Sequence, residues 1–227
     1  MTEQPGRPKY YRGAVAISGD RIALVSDSPQ RIERYERERG EGLQVADGAG
    51  RLVMPGLINL HNHVSMTLMR GYADDLPLMP WLTEKIWPFE AKLDGDDIYS
   101  GAELGIAEML LGGTTALYWY ADRVAEAAIR SGIRAVVSPA FVGTAFDGYV
   151  ERTQRMIERY NGAAGDRIRV WVAPHAPYTC TPEQIRESLK LCERNGVGVN
   201  IHVAETLSEV ETIRERYGKT PVEHLRD

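Results

Sequence analysis

The sequence predicts an α/β chain: an incomplete (β/α)8 barrel of the TIM type, with about five of eight strands, behind a small N-terminal β segment. Two observations carry that expectation. From residue 52 onward, short apolar runs alternate with stretches of helical length, the pattern of a parallel sheet whose strands are joined by helices. Histidines then stand at the C-terminal ends of several of those apolar runs, the edge at which such barrels carry their chemistry.

Taken in order, residues 1–51 read as a small β-rich segment, part of a composite β-sandwich. Within it, 13–17 and 21–25 flank Ser18-Gly19-Asp20, a hairpin-like turn. The charged run 31–39 has helical character and reads as a solvated surface insert. Residues 52–227 read as the N-terminal part of a metal-dependent barrel. Its strands are expected at 52–60, 114–119, 134–142, 168–174 and 197–203, and its helices at 96–111, 122–131, 149–161 and 182–195. Gly112-Gly113, Gly132 and Gly196 fall where helix C-caps belong. Thr181-Pro182 reads as an N-cap with proline at the first helical position. Five strands against the eight of a closed barrel imply a piece of a longer enzyme.

Composition narrows the function. Of the 227 residues, 43% are hydrophobic and 26% charged, as in an ordinary globular protein, and the formal net charge of −5 argues against a phosphate backbone as partner. No apolar run approaches the length of a membrane span, and no apolar signal core follows Met1. Cys180 and Cys192 are too few for a disulfide framework, so reduced thiols and a cytoplasmic location are expected.

His61-Asn62-His63 closes the apolar run 52–60. In an extended strand, residues two apart share a face, so both imidazoles can point at one ion. Nitrogen donors at about 2.0–2.1 Å suit zinc or a similar divalent metal; two polar residues at a strand end are the plain alternative. His202 ends a second apolar run, as a third nitrogen ligand or a hydrogen-bonded core histidine. Glu205 follows three residues later, placed to pass a proton from an activated water or to face a helix N-terminus. His175, between Pro174 and Pro177, ends a third run, and substrate contact is its expected role over metal binding or loop anchoring. His224 reads as surface. The long loop from Arg70 to Glu90, rich in aromatics and methionine, would cover the site, with Trp81 and Trp87 as packing residues. Glu90, a carboxylate among apolar neighbours, calls for a partner.

Four stretches together resemble the amidohydrolase superfamily: 54–59 running into His61-Asn62-His63, Asp74-Asp75-Leu76-Pro77-Leu78, Pro174-His175-Ala176-Pro177-Tyr178, and His202-Val203-Ala204-Glu205-Thr206. Within it the chain is most similar to the methylthioadenosine/S-adenosylhomocysteine deaminases and related chlorohydrolases. The resemblance implies a metal held by His61, His63 and His202, completed by a sixth-strand histidine and an eighth-strand aspartate that this chain does not include. It implies that Glu205 is the proton shuttle to the substrate ring nitrogen, that Glu90 meets ribose hydroxyls, and that His175 lines the substrate pocket. One departure concerns the substrate: relatives that take a homocysteine-type carboxylate carry an arginine at the end of the third strand, whereas 137–141 here reads Val-Ser-Pro-Ala-Phe, with no arginine before Arg152.

The expected function is a metal-dependent hydrolytic deaminase of a methylthioadenosine-like purine nucleoside, releasing ammonia. The cofactor is Zn2+, with Fe2+ as the alternative. The partners are a small-molecule substrate and either a second copy or a complementing C-terminal segment, with no nucleic acid or membrane. The alternatives are another amidohydrolase, of the triazine chlorohydrolase or guanine/cytosine deaminase kind, or a truncated, non-catalytic binding module. The isolated 227-residue chain is expected to be inactive.

Overall fold

The computed structural model describes residues 12–120, 122–143 and 146–226. The chain divides into two compact units, Met1–Pro55 and Gly56–Asp227. In the first, β1 (Ala14–Ser18) pairs antiparallel with β2 (Arg21–Ser26) across a turn in which Gly19 takes φ +60°. The charged run forms helix α1 (Pro29–Arg39), capped by the Ser28 hydroxyl and without a buried residue, as its composition predicts. Residues 1–11 of the expected segment lie outside the described residues.

The second unit alternates strands and helices. A four-stranded parallel sheet runs in the order β3 (Leu57–Asn59), β4 (Thr114–Tyr120), β5 (Arg134–Ser138), with β7 (Ile168–Val170) at its far edge. It continues upward as β6 (Ala140–Phe141) paired with β8 (Ala173–Pro174). Sequential strands are spatial neighbours throughout, as in a barrel wall and unlike a doubly wound sheet whose order reverses. The molecule is thus an α/β fold with an incomplete barrel.

Between β3 and β4 run a 3₁₀ turn (Val64–Met69), α2 (Leu78–Pro80), a π turn (Trp81–Ile86), α3 (Trp87–Glu90) and the long α4 (Gly95–Leu111). Asp94 caps α4 in a capping box with Asp97. Helices α5 (Asp122–Ser131), α6 (Tyr149–Tyr160), the short α7 (Ala163–Asp166), α8 (Pro182–Asn195), α9 (Leu207–Tyr217) and α10 (Pro221–Arg226) follow. Thr181 and Gln184 form the capping box of α8, with Pro182 in its first turn, and Gly196 ends that helix at φ +63°. Helices α4, α5 and α6 bury Ile106, Val124, Ala128 and Ile157 against Leu117, Val137 and Val170 of the strands. A second cluster joins Phe141, Tyr149, Val172, Ile185 and Leu191, and there the buried Tyr149 hydroxyl accepts the Ala173 amide at 2.9 Å. Among the described residues, no helix is long and apolar enough to cross a membrane.

Several strands are shorter than expected. Pairing in the first begins only at Leu57, because Pro55 has no N–H to donate, and Gly56 must be a glycine because a Cβ there would overlap the Thr115 side chain. Pro139 interrupts the expected strand 134–142 in the same way, splitting it into β5 and β6. The stretch 197–203 is not a regular strand. It is joined to the sheet on one side by a single bridge, Val172 to Val199, and by three hydrogen bonds of 2.9 Å: Val172 N–H to Gly198, Asn200 N–H to Val172, and His202 N–H to His175. It still occupies the fifth parallel position. His224 is half-buried rather than on the surface, its ring stacked on Tyr217 at 4.2 Å.

Candidate metal centre and active site

His61 and His63 leave the C-terminal end of β3 on a turn that Asn62 fastens. Its Nδ2 donates to the Tyr118 carbonyl of β4 at 2.8 Å and to the Asn59 carbonyl at 3.3 Å, while its buried Oδ1 has no hydrogen-bond partner among the described residues. The next residues, Val64–Met69, sit on α4 through two glycines. A Cβ at Gly101 would meet the Ser65 carbonyl, one at Gly105 would lie 2.6 Å from a Val64 methyl, and Thr67 Oγ1 donates to the Gly101 carbonyl at 2.6 Å. Close packing of backbone on helix therefore sets the height of the two histidines above the sheet.

His202 comes from the far edge, and the fold brings it to the first pair. One ligand nitrogen each from His61, His63 and His202 all lie within 4.8 Å of one another. The His61 and His202 rings are 5.1 Å apart, edge to face, and the His175 ring stands 5.0 Å from that of His202. Each of three rings has a partner for Nδ1. That of His63 lies 3.1 Å from Met66 Sδ, that of His175 lies 2.9 Å from Thr179 Oγ1, and that of His202 lies 3.0 Å from the His175 carbonyl. A proton on Nδ1 in each leaves Nε2 with the lone pair a metal requires. Burial first, then the neighbouring imidazoles, pushes His63 down to about 4, and burial with His202 does the same to His175. Three imidazoles gathered from two segments fit zinc or a similar cation in donor type and proximity.

The four histidines share a cavity of about 440 Å³, within the usual range for a small-molecule site, with Glu205 also on its lining. Tyr118 and Trp119 of β4 form another part of it. Trp119 packs 4.2 Å from His63 and donates its indole N–H to Ser65 Oγ at 3.1 Å, and burial raises Tyr118 to about 12 although its hydroxyl bonds Ser138. Glu205 precedes the Thr206 N-cap of α9, so it is not the acid of that helix's first turn; Glu209 is. Among the described residues the Glu205 side chain has no hydrogen bond or ion pair, and its charge, after burial, helps raise Tyr178 to about 12. Ala204 next to it takes φ +55°, which costs an L-residue on the order of 1–2 kcal/mol. The buried carboxylate of Glu209 accepts the N–H groups of both Ala204 and Glu205 there.

Glu90 is not among the residues that line this cavity. It ends α3, half-buried, and burial raises its pKa above the ordinary carboxylate range. Asn62, Trp119 and Glu209 do not emerge from the sequence as site residues. Only Glu209 leaves a signal there, since Thr206-x-x-Glu209 spells a capping box.

The amidohydrolase family profile matches residues 52–227. A 5-methylthioadenosine/S-adenosylhomocysteine deaminase of Desulfitobacterium hafniense is 44% identical over 223 residues, covering 96% of this chain and 51% of that protein. A 5'-deoxyadenosine deaminase of Methanothermobacter thermautotrophicus is 43% identical, covering 94% of this chain and 50% of that one. Among solved structures, an adenosine deaminase from Xanthomonas campestris with bound zinc superposes with a TM-score of 0.77 at 33% identity, covering 94% of this chain and 49% of that one. The chain spans about half the length of the curated relatives it matches. On the family match, the chain belongs to the amidohydrolase family.

Proposed function

We propose that the protein containing this chain is a metal-dependent hydrolytic deaminase of adenosine-like nucleosides, with a methylthioadenosine-like compound as substrate and ammonia as product. The observation that carries this reading is the convergence of His61, His63 and His202 on one cavity that Glu205 also lines. The deaminase relatives and the zinc-bound neighbour support it.

In this reading His61, His63 and His202 would hold zinc. Such an ion, when bound, supplies a water acidified from 15.7 toward about 7. Glu205 accepts a proton from the attacking water and hands it to the ring nitrogen beside the amino-bearing carbon. The carbon gains the hydroxyl, the remaining proton of that hydroxyl passes to the amino group, which leaves as ammonia, and the ring is left in its oxo form. His175 holds the base through Nε2, its Nδ1 being engaged by Thr179. Glu90, outside the lining of the cavity that the histidines share, would meet ribose hydroxyls as the family resemblance implies. The stretch 137–141 carries no arginine, which favours an uncharged 5'-substituent over an amino-acid one. Two free, buried cysteines support a reducing, cytoplasmic setting.

The test is ammonia release from methylthioadenosine, with zinc content measured in parallel. The 227-residue chain alone is expected to be silent, and turnover is expected when the C-terminal half of the barrel is supplied. A zinc-loaded full-length protein that hydrolyses no aminated purine would end the proposal.

A further inference from the structure

We propose that Glu209 is a positioning residue that holds Glu205 in its working orientation. The proposal rests on the reading of Glu205 as proton carrier. Thr206 and Glu209 spell a capping box, and the first half of it forms: the Thr206 hydroxyl accepts the Glu209 amide at 3.2 Å. The second half departs from the pattern. An ordinary capping-box glutamate returns to the amide of the cap residue itself. Glu209 instead reaches past Thr206, accepting the Ala204 amide at 3.0 Å through Oε1 and the Glu205 amide at 2.8 Å through Oε2. Two successive N–H groups thus converge on one carboxylate, the arrangement of an anion-binding nest.

The consequence lies at Ala204, whose φ of +55° is a conformation that L-residues avoid and glycine takes freely. The carboxylate holds residue 204 left-handed, and relaxation to negative φ on its loss would rotate the Cα–Cβ bond of Glu205 relative to the cavity. Glu209 is 3% exposed and cannot reach substrate, so it acts through the backbone of its neighbour. A helix N-terminus needs only a cap, and Thr206 already supplies it. The buried carboxylate and the strained alanine together are explained by the need to fix one side chain.

The test is Glu209→Gln, which keeps size but leaves one of the two amides facing an NH2 group. Amide hydrogen exchange at Ala204 and Glu205 in the 227-residue chain is expected to quicken roughly 10–100-fold, with the amides of Leu117 and Val137 unchanged. In the full-length enzyme kcat is expected to fall by a similar factor at constant KM, and adding Ala204→Gly is expected to recover part of it. In a Glu205→Gln background, Glu209→Gln is expected to cost nothing more. Unchanged exchange at both amides, or an equal loss of kcat in that background, would overturn the proposal. If Glu209→Gln alone does not fold, recovery of folding on adding Ala204→Gly supports the anchor, and failure of the pair as well overturns it. Full turnover by Glu205→Gln would remove the proton-carrier reading, while the exchange measurement would still decide separately whether Glu209 anchors the backbone.

Discussion

The carbonyl oxygen of His175 binds His202 twice, accepting its main-chain N–H at 2.9 Å and lying 3.0 Å from its Nδ1. The first bond attaches the irregular fifth segment to the end of β8. The second fixes the ring, so that Nδ1 carries the proton and Nε2 the lone pair. The outermost parallel segment is thereby given a defined ligand, although among the described residues a single bridge joins it to the sheet.

A first prediction follows from that bond. Long-range proton–nitrogen correlation spectra of the chain should show Nε2 of His202 as the unprotonated nitrogen, and zinc should move that resonance first. His202→Ala should weaken zinc binding more than about 100-fold, since loss of an outer-shell partner alone costs 10–100-fold. Competition against a chromophoric chelator measures it, and an unchanged affinity would remove His202 from the ligand set.

Glu205→Gln separates proton transfer from metal binding. The amide keeps the shape of the side chain but cannot carry a proton, so ammonia release by the full-length protein should drop by about 10²–10⁴-fold. Zinc content should stay that of the parent, because the three histidines do not depend on Glu205. A variant that loses both would place Glu205 among the groups that organise the metal.

Much of this is legible from residue types and spacing. The alternation of strands and helices, the caps at Thr181 and Gly196, and the placement of His61, His63 and His202 at one sheet edge follow from period and punctuation. What escapes is set by tertiary contact. The apolar run 52–60 looks like nine residues of strand, yet pairing starts after Pro55 because hydrogen-bond donors, not hydrophobicity, define a ladder. Asn62 matters through a carbonyl on β4 56 positions away, which no local pattern announces.

Gly105→Ala sets two opposing effects against each other. Replacing an interior helical glycine with alanine gains up to about 1 kcal/mol of propensity. The new Cβ, however, would stand 2.6 Å from Val64 Cγ2 and 2.9 Å from its carbonyl oxygen, and Val64 is 2% exposed with no room to retreat. Overpacking of this kind costs about 1–3 kcal/mol, so net destabilisation is expected in urea unfolding, with weaker zinc binding because Val64 adjoins His63. Stabilisation would mean that α4 and the 3₁₀ turn slide apart freely.

Glu90 gives the pH prediction. Burial raises its folded-state pKa above the ordinary value of 4.5, so the folded chain holds a proton that the unfolded chain has released. Within that window the native state binds more protons, and stability must fall as pH rises from the unfolded value to the folded one, then level off. Glu90→Gln removes the liability. The stability of the variant relative to the parent should therefore climb across the window and be flat below and above it. Urea unfolding of the two chains at a series of pH values from about 4 to 8 measures the difference, with the unfolded baselines compared at each pH. A parent that gains on the variant as pH rises would mean that Glu90 meets a cationic or hydrogen-bonding partner in the folded chain, reversing the sign of the burial effect.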